Sequence, residues 1–255
     1  MRVVAASAIA LALSASAVIA RPASAPPRTI AAAVAASDRS ADNAKMDASR
    51  KPAEVLRFLG LRPGMQVLDL FGGNRYWSEI MAPAVGPKGS VLVWEPTQFF
   101  NAEGQAAFDA FRAKNPNVSI VSTAFEAPSL PRNRFDFAIL NLNYHDTYWQ
   151  SDKYKIPKMD PAAFLHTVYS SMKPGAVIGV IDHIASPNSD TRATVEKYHR
   201  IDPNVVKADF KRAGFVLVGS SNILRNPADP HNLPVTDPKI RGNTDRFVFK
   251  FKKPR

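Results

Sequence analysis

The stretch QVLDLFGGNRYW, residues 66–77, decides the fold. Gln66 to Leu70 is a short apolar run interrupted only by Asp69, the pattern of a strand covered on both faces. Gly72 and Gly73 follow at once, and from Tyr76 to Val85 the apolar residues recur with helical spacing until Gly86 and Pro87 end them. A buried strand, a glycine turn and a helix in direct succession form the opening unit of a doubly wound sheet.

Working outward, strands are expected at Ser90 to Trp94, Val118 to Ser122, Phe135 to Leu140 and Ala176 to Ile181, with helices at Phe100 to Arg112 and Pro161 to Met172. That alternation predicts an α/β, Rossmann-like sheet with parallel strands and helices on both faces. A helix at Pro203 to Ala213 precedes two strands, Phe215 to Ser220 and Arg246 to Phe251, separated only by a loop rich in Asn, Pro and Asp. Without a crossover helix these two should pair antiparallel. On the other side of the deciding stretch, Pro52 to Leu59 reads as a short helix with proline in its first position and Gly60 at its end.

The N-terminus has a different character. Met1 and Arg2 precede an uncharged run to Ala20, the layout of a secretory signal peptide with an exit at Val18, Ile19 and Ala20. The expectation is a cleaved leader at 1–20 and a periplasmic or secreted protein. An Ala, Pro and Ser-rich flexible spacer then covers 21–41, and one domain covers 42–255. No membrane span is expected in the mature chain. The absence of cysteine excludes disulfides, a thiolate metal site and a cysteine nucleophile. A net charge of +11 favours anionic partners in general. The basic residues are scattered, however, so no specific nucleic-acid signal is read and the oligomeric state is left open.

The glycine loop and Glu95, which ends the second strand, are the first candidates for chemistry. In this fold the loop lets the backbone approach a ligand, and a carboxylate about twenty residues later accepts hydrogen bonds from ribose hydroxyls. An ordinary tight turn and an exposed strand-end carboxylate are the plainer alternative. On RKPAEVLRFLGLRPGMQVLDLFGG (50–73), VGPKGSVLVWEP (85–96), RFDFAILNLNYHDTYW (134–149), MKPGAVIGVIDH (172–183), YHRIDPNVV (198–206), AGFVLVGSSNILRNPADP (213–230) and NTDRFVFKF (243–251), the chain resembles class I S-adenosylmethionine-dependent methyltransferases. It is most similar to a group of exported bacterial members. The resemblance implies seven strands with the last antiparallel, and S-adenosylmethionine as methyl donor. It implies that Asp69, Gly72 and Gly73 face the donor's amino-acid part, Glu95 its ribose and Glu126 its adenine amino group. Where the superfamily carries a GxGxG spacing, this chain has Phe71, Gly73 and Arg75.

The fourth strand ends in Asn141, Leu142, Asn143, Tyr144, His145 and Asp146, on the side that the resemblance assigns to the methyl acceptor. Asn141, His145 and Asp146 are the expected catalytic residues, with His145 as base because imidazole titrates near neutral pH and Asp146 can orient it. Asp182 and His183 form a second such pair, and His199, Arg200, Asp202, Arg225, Asn226 and Asp229 cluster charge that either shapes an acceptor pocket or, the preferred reading, forms a buried ion network. No HExxH or comparable spacing occurs, so no metal ligand is assigned. Three functions follow as expectations: methyl transfer to a small-molecule or envelope acceptor, a non-catalytic periplasmic binding protein on the same scaffold with an eroded donor loop, or, third in order, a metal- or histidine-dependent hydrolase using the region of His145 and Asp182.

Overall fold

The computed structural model describes residues 26–187 and 190–255; the expected leader at 1–20 lies outside them. Three short helices, α1 (Ile30–Val34), α2 (Ala41–Ala44) and α3 (Asp47–Arg50), lead into α4 (Pro52–Leu59). Then come β1 (Gln66–Leu70), α5 (Tyr76–Val85), β2 (Ser90–Pro96), α6 (Ala102–Lys114), β3 (Val118–Thr123) and β4 (Phe135–Asn141). A 3-10 turn (His145–Tyr148), α7 (Pro161–Ser171), β5 (Met172–His183), α8 (Thr191–Tyr198), α9 (Pro203–Arg212), β6 (Val216–Ser221) and β7 (Arg246–Lys252) complete the order.

The seven strands make one sheet in the order β3-β2-β1-β4-β5-β7-β6. The first five are parallel, and β7 enters between β5 and β6, antiparallel to both. The period-two alternation of strands divides the core into two layers. Leu68, Leu70, Leu92, Trp94 and Leu140 pack with Phe164, Val168 and Phe210 of α7 and α9 on one face. Val67, Val91, Val93, Phe137 and Ile139 pack with α4 and α5 on the other. Strand order reverses at β1, between β2 and β4, which opens a crevice beyond the carboxyl ends of those strands.

Two local departures from expectation have physical causes. The spacer expected over 21–41 is, from residue 26 onward, part of the folded body. Thr29 accepts a hydrogen bond from the Ala32 N–H at 3.1 Å to start α1, Ala33 is fully buried, and the Arg28 N–H donates to the Pro83 carbonyl at 2.9 Å. An Ala-rich run looks featureless in composition, but alanine is the best helix former and its small side chain allows close packing on α5. Helix α8 was not foreseen either. TRATVEKY buries only Thr194 and Val195, too few apolar residues to show a period, and its start is fixed by Asp190 accepting from the Ala193 N–H at 2.9 Å.

Candidate functional site

Asp69 ends β1 almost fully buried, and Phe71, Gly72 and Gly73 turn the chain back beneath β2. The Phe71 N–H donates to the Trp94 carbonyl at 2.8 Å, and the Gly73 N–H donates to Glu95 Oε2 at 2.9 Å. The glycines are required by proximity. A Cβ on Gly72 would stand 2.6 Å from Asp69 Cγ, and one on Gly73 2.7 Å from Glu95 Cδ. Phe71 adopts a left-handed φ of 56° and packs its ring against Trp94 and Phe125. Asn74 caps α5, its side-chain oxygen accepting from the Tyr76 N–H at 3.0 Å.

The two carboxylates have few partners for their depth. Burial raises Asp69 to about 7, against the pull of the Ser78 hydroxyl at 2.6 Å and the Arg50 charge. Burial likewise raises Glu95 to about 7, opposed by the Gly73 N–H and reinforced by the negative charge of Asp69. Glu126 lies at the surface, where its Oε2 accepts from the Gln98 carboxamide at 3.3 Å. The oxygen of that same carboxamide accepts from the Phe125 N–H at 3.0 Å.

A cavity of about 210 Å³ opens beside this loop, lined by Arg50, Phe71, Gly72, Trp77, Asn141 and Asn143 among others. Arg75, which occupies the third loop slot, lines instead a surface hollow with Arg39, Glu79 and Lys114. The cation inside the cavity is Arg50, from the end of α3. Its guanidinium lies 4.3 Å from the Tyr76 ring centroid, makes no ion pair among the described residues, and has its pKa lowered by burial. Trp77 carries a buried indole Nε1 without an acceptor among the described residues. Arg246 is a second buried cation near Arg50; burial and the Arg50 charge lower it to about 10. Neither arginine was singled out in the sequence, because nothing in the local pattern shows that a charge on α3 or at the start of β7 reaches this crevice.

Asn141 and Asn143 line the cavity, whereas His145 and Asp146 stand behind them. Asn143 Nδ2 donates to Asp146 Oδ2 at 2.9 Å. His145 is held between two carboxylates, with Nδ1 2.8 Å from Asp182 Oδ1 and Nε2 3.3 Å from Asp146 Oδ1. Burial alone would lower its pKa, but Asp182 and Asp146 prevail and raise it to about 9. Both ring nitrogens of His145 thus face a carboxylate, an arrangement that favours its charged form. Asp146 is lowered despite burial by the His145 charge and by hydrogen bonds from His199 and Asn143. His183 is pushed well below the usual imidazole range by burial and by the His145 and Arg246 charges, and its Nδ1 meets the Thr244 hydroxyl at 2.7 Å.

Arg200 and Asp229, read from the sequence as part of a buried ion network in preference to an acceptor pocket, form a bidentate ion pair at 2.8 and 2.9 Å with both side chains fully buried. Asp245 receives Arg225 and His231. These pairs tie the long loop before β7 to the rim of the crevice. Four rim residues other than glycine, Phe71, Arg75, Leu142 and His199, have left-handed backbone.

Solved structures with this arrangement are numerous. A SAM-dependent methyltransferase from Aquifex aeolicus is 19% identical with a TM-score of 0.55, the match covering 84% of this chain and 99% of that one. A putative sarcosine dimethylglycine methyltransferase from Galdieria sulphuraria is 13% identical with a TM-score of 0.58, covering 84% of this chain and 86% of that one. The fold is the class I methyltransferase fold. The 4+2 cyclase SpnF, 14% identical with a TM-score of 0.58 and coverages of 85% and 83%, also has it. A class I methyltransferase fold thus carries more than one chemistry, and function must be argued from the site. No family model matches the chain, and no curated protein matches it in sequence.

Proposed function

We propose that this protein binds S-adenosylmethionine and transfers its methyl group to a small-molecule or envelope acceptor. The observation that carries the reading is the Arg50 guanidinium, which lines the cavity and makes no ion pair among the described residues. A ligand carboxylate answers it with a charge-assisted contact. Asp69 and Glu95 supply the complementary negative charge for the ammonium group and the ribose hydroxyls, so a zwitterionic nucleoside fits the order of charges. At about 210 Å³ the cavity is smaller than the roughly 300 Å³ at which small-molecule pockets begin, so it suits the amino-acid part while the nucleoside lies toward Glu95 and Glu126.

Gln98 refines the reading. Its carboxamide accepts from the Phe125 N–H and donates to Glu126, the acceptor-then-donor pattern that the Watson–Crick edge of adenine also presents. Donor entry exchanges one such edge for the other. When bound, the donor supplies an electrophilic methyl carbon on a sulfonium. The chain's part is to hold that carbon in line with the acceptor at Asn141 and Asn143, so catalysis is mostly positioning. The polar amides of Asn141 and Asn143 orient the acceptor, and Asp146 fixes Asn143 from behind.

The non-catalytic binding-protein reading has one observation in its favour: Phe71 fills the first glycine slot and packs against Trp94 and Phe125, where the superfamily has an open loop. Calorimetric titration of the purified chain with S-adenosylmethionine and S-adenosylhomocysteine, repeated with Glu95→Ala and Arg50→Ala, decides between them. Micromolar binding lost in both variants is the expected result. No heat and no thermal shift at millimolar ligand would sink the donor reading and leave the binding-protein one. Export, proposed from residues 1–20, is tested separately by fractionating cells that express the full chain.

A further inference from the structure

We infer that His145, Asp146 and His199 form a binding site for a divalent transition-metal ion of the zinc class, with Asp182 orienting His145 from behind. The three residues come from the 3-10 turn after β4 and from the residue that ends α8, a grouping invisible in sequence spacing. Asp146 Oδ1 lies 3.3 Å from His145 Nε2 and 3.9 Å from His199 Nδ1, and all three ligand atoms lie within 4.8 Å of one another. A tetrahedral ion with bonds near 2.1 Å sets its ligand atoms about 3.4 Å apart, so a small closing movement of His199 completes the set. Two imidazoles and a carboxylate, with no thiolate, suit zinc and similar ions better than magnesium or calcium, which prefer oxygen.

The surroundings are those of a prepared ligand set. Metal-binding histidines usually donate their other ring N–H to a carboxylate, which fixes the tautomer and the ring plane. Asp182 does this for His145: its Oδ1 meets Nδ1 at 2.8 Å, while the backbone N–H groups of His145 and His183 donate to its two oxygens at 2.9 and 2.8 Å. Asp182 is thereby held as an acceptor, and Nε2 is the atom left to face Asp146. Asn143 fixes the other oxygen of Asp146, so Oδ1 is presented to the two histidines. His199 is fixed too, in a left-handed conformation at φ 50° that a residue other than glycine adopts at a cost, next to Arg200 with its buried ion pair. The Trp149 ring stands 4.9 Å from the His199 ring.

The ion takes neutral imidazoles and an ionised carboxylate, so any proton on a ligand nitrogen leaves to solvent on binding. His199 keeps 30% of its side chain exposed, so the fourth position opens toward solvent and takes water or an oxygen of the acceptor. The site does not depend on donor binding.

The test is titration of the full chain, stripped with chelator, with zinc in competition with a chromophoric chelator, and with cobalt(II) followed by visible absorption. One ion per chain at micromolar or tighter affinity is expected, with a cobalt spectrum of four- or five-coordinate intensity. His199→Ala, at a partly exposed position, should weaken binding at least about a hundredfold, and Asp182→Asn about ten- to a hundredfold. His166→Ala, on the exposed face of α7, should leave it unchanged. The site is overturned by no binding at millimolar zinc, or by binding that survives His199→Ala.

Discussion

At the ends of β1 and β2 two carboxylates, Asp69 and Glu95, are buried beside a hydroxyl and backbone N–H groups; at the ends of β4 and β5 two others, Asp146 and Asp182, are buried against histidines. The residue types and depths are alike, yet Asp69 and Glu95 shift in the opposite direction from Asp146. The first pair is raised to about 7, while Asp146 is lowered and its imidazole partner raised to about 9. Charge on one side of the crevice lacks an answering group, and on the other side it is balanced within the chain. The first condition suits a ligand that brings its own charges, and the second holds a rim in place.

The sharpest way to break the contrast is on the balanced side. Asp229→Ala strands the fully buried Arg200, and urea denaturation should show a loss of about 3–5 kcal/mol. On the other side, Glu95→Ala should cost donor affinity tenfold or more in calorimetry, about 1.5–3 kcal/mol for hydrogen bonds to a charged acceptor, with a smaller effect on unfolding. A variant pair that reverses this order would show that the two sides have been assigned wrongly.

A subtler difference lies in pH. Asp69 and Glu95 have folded values near 7, above their ordinary 3.8 and 4.5, so the folded state holds protons that the unfolded chain has released. Their contribution to stability is complete below about pH 4, is lost as pH rises through 7, and is flat beyond. Melting curves from pH 5 to 8 on the parent and on Asp69→Asn should therefore converge at low pH and separate toward high pH, with the variant higher. Identical slopes would mean that Asp69 titrates normally. The smallest expected effect is Gln98→Ala, which frees Glu126 and the Phe125 N–H and should tighten donor binding a few-fold. Weaker binding would show that Gln98 assists the nucleoside rather than standing in its place.

Much of the fold was readable because its signals are local. Apolar runs marked β1 and β4, Pro52 and Gly60 bracketed α4, and the missing crossover before β7 announced its antiparallel pairing. Asp69, Gly72, Gly73 and Glu95 stand out in the sequence as a strand end, a turn and a second strand end, and the structure brings all four together. Glu126 joins them only through Gln98. What could not be read depends on tertiary distance. Arg50 reaches the cavity only because α3 folds back over the sheet, and His199 meets His145 only because α8 ends beside the 3-10 turn. The second carboxylate beside His145, Asp182, could not be read either, because it lies on another strand.

The left-handed residues around the crevice bear on how this protein would respond to selection. Phe71, Arg75, Leu142 and His199 each hold a backbone conformation that glycine or asparagine adopts more easily, at a cost on the order of 1 kcal/mol each. Populations screened for heat tolerance alone should therefore accumulate glycine or asparagine early at Arg75, whose side chain is outside the core, and not at Phe71, where the lost ring packing exceeds the strain relieved. If binding at the crevice fades along the same lineages, the strain belongs to the working molecule and is no accident of its ancestry.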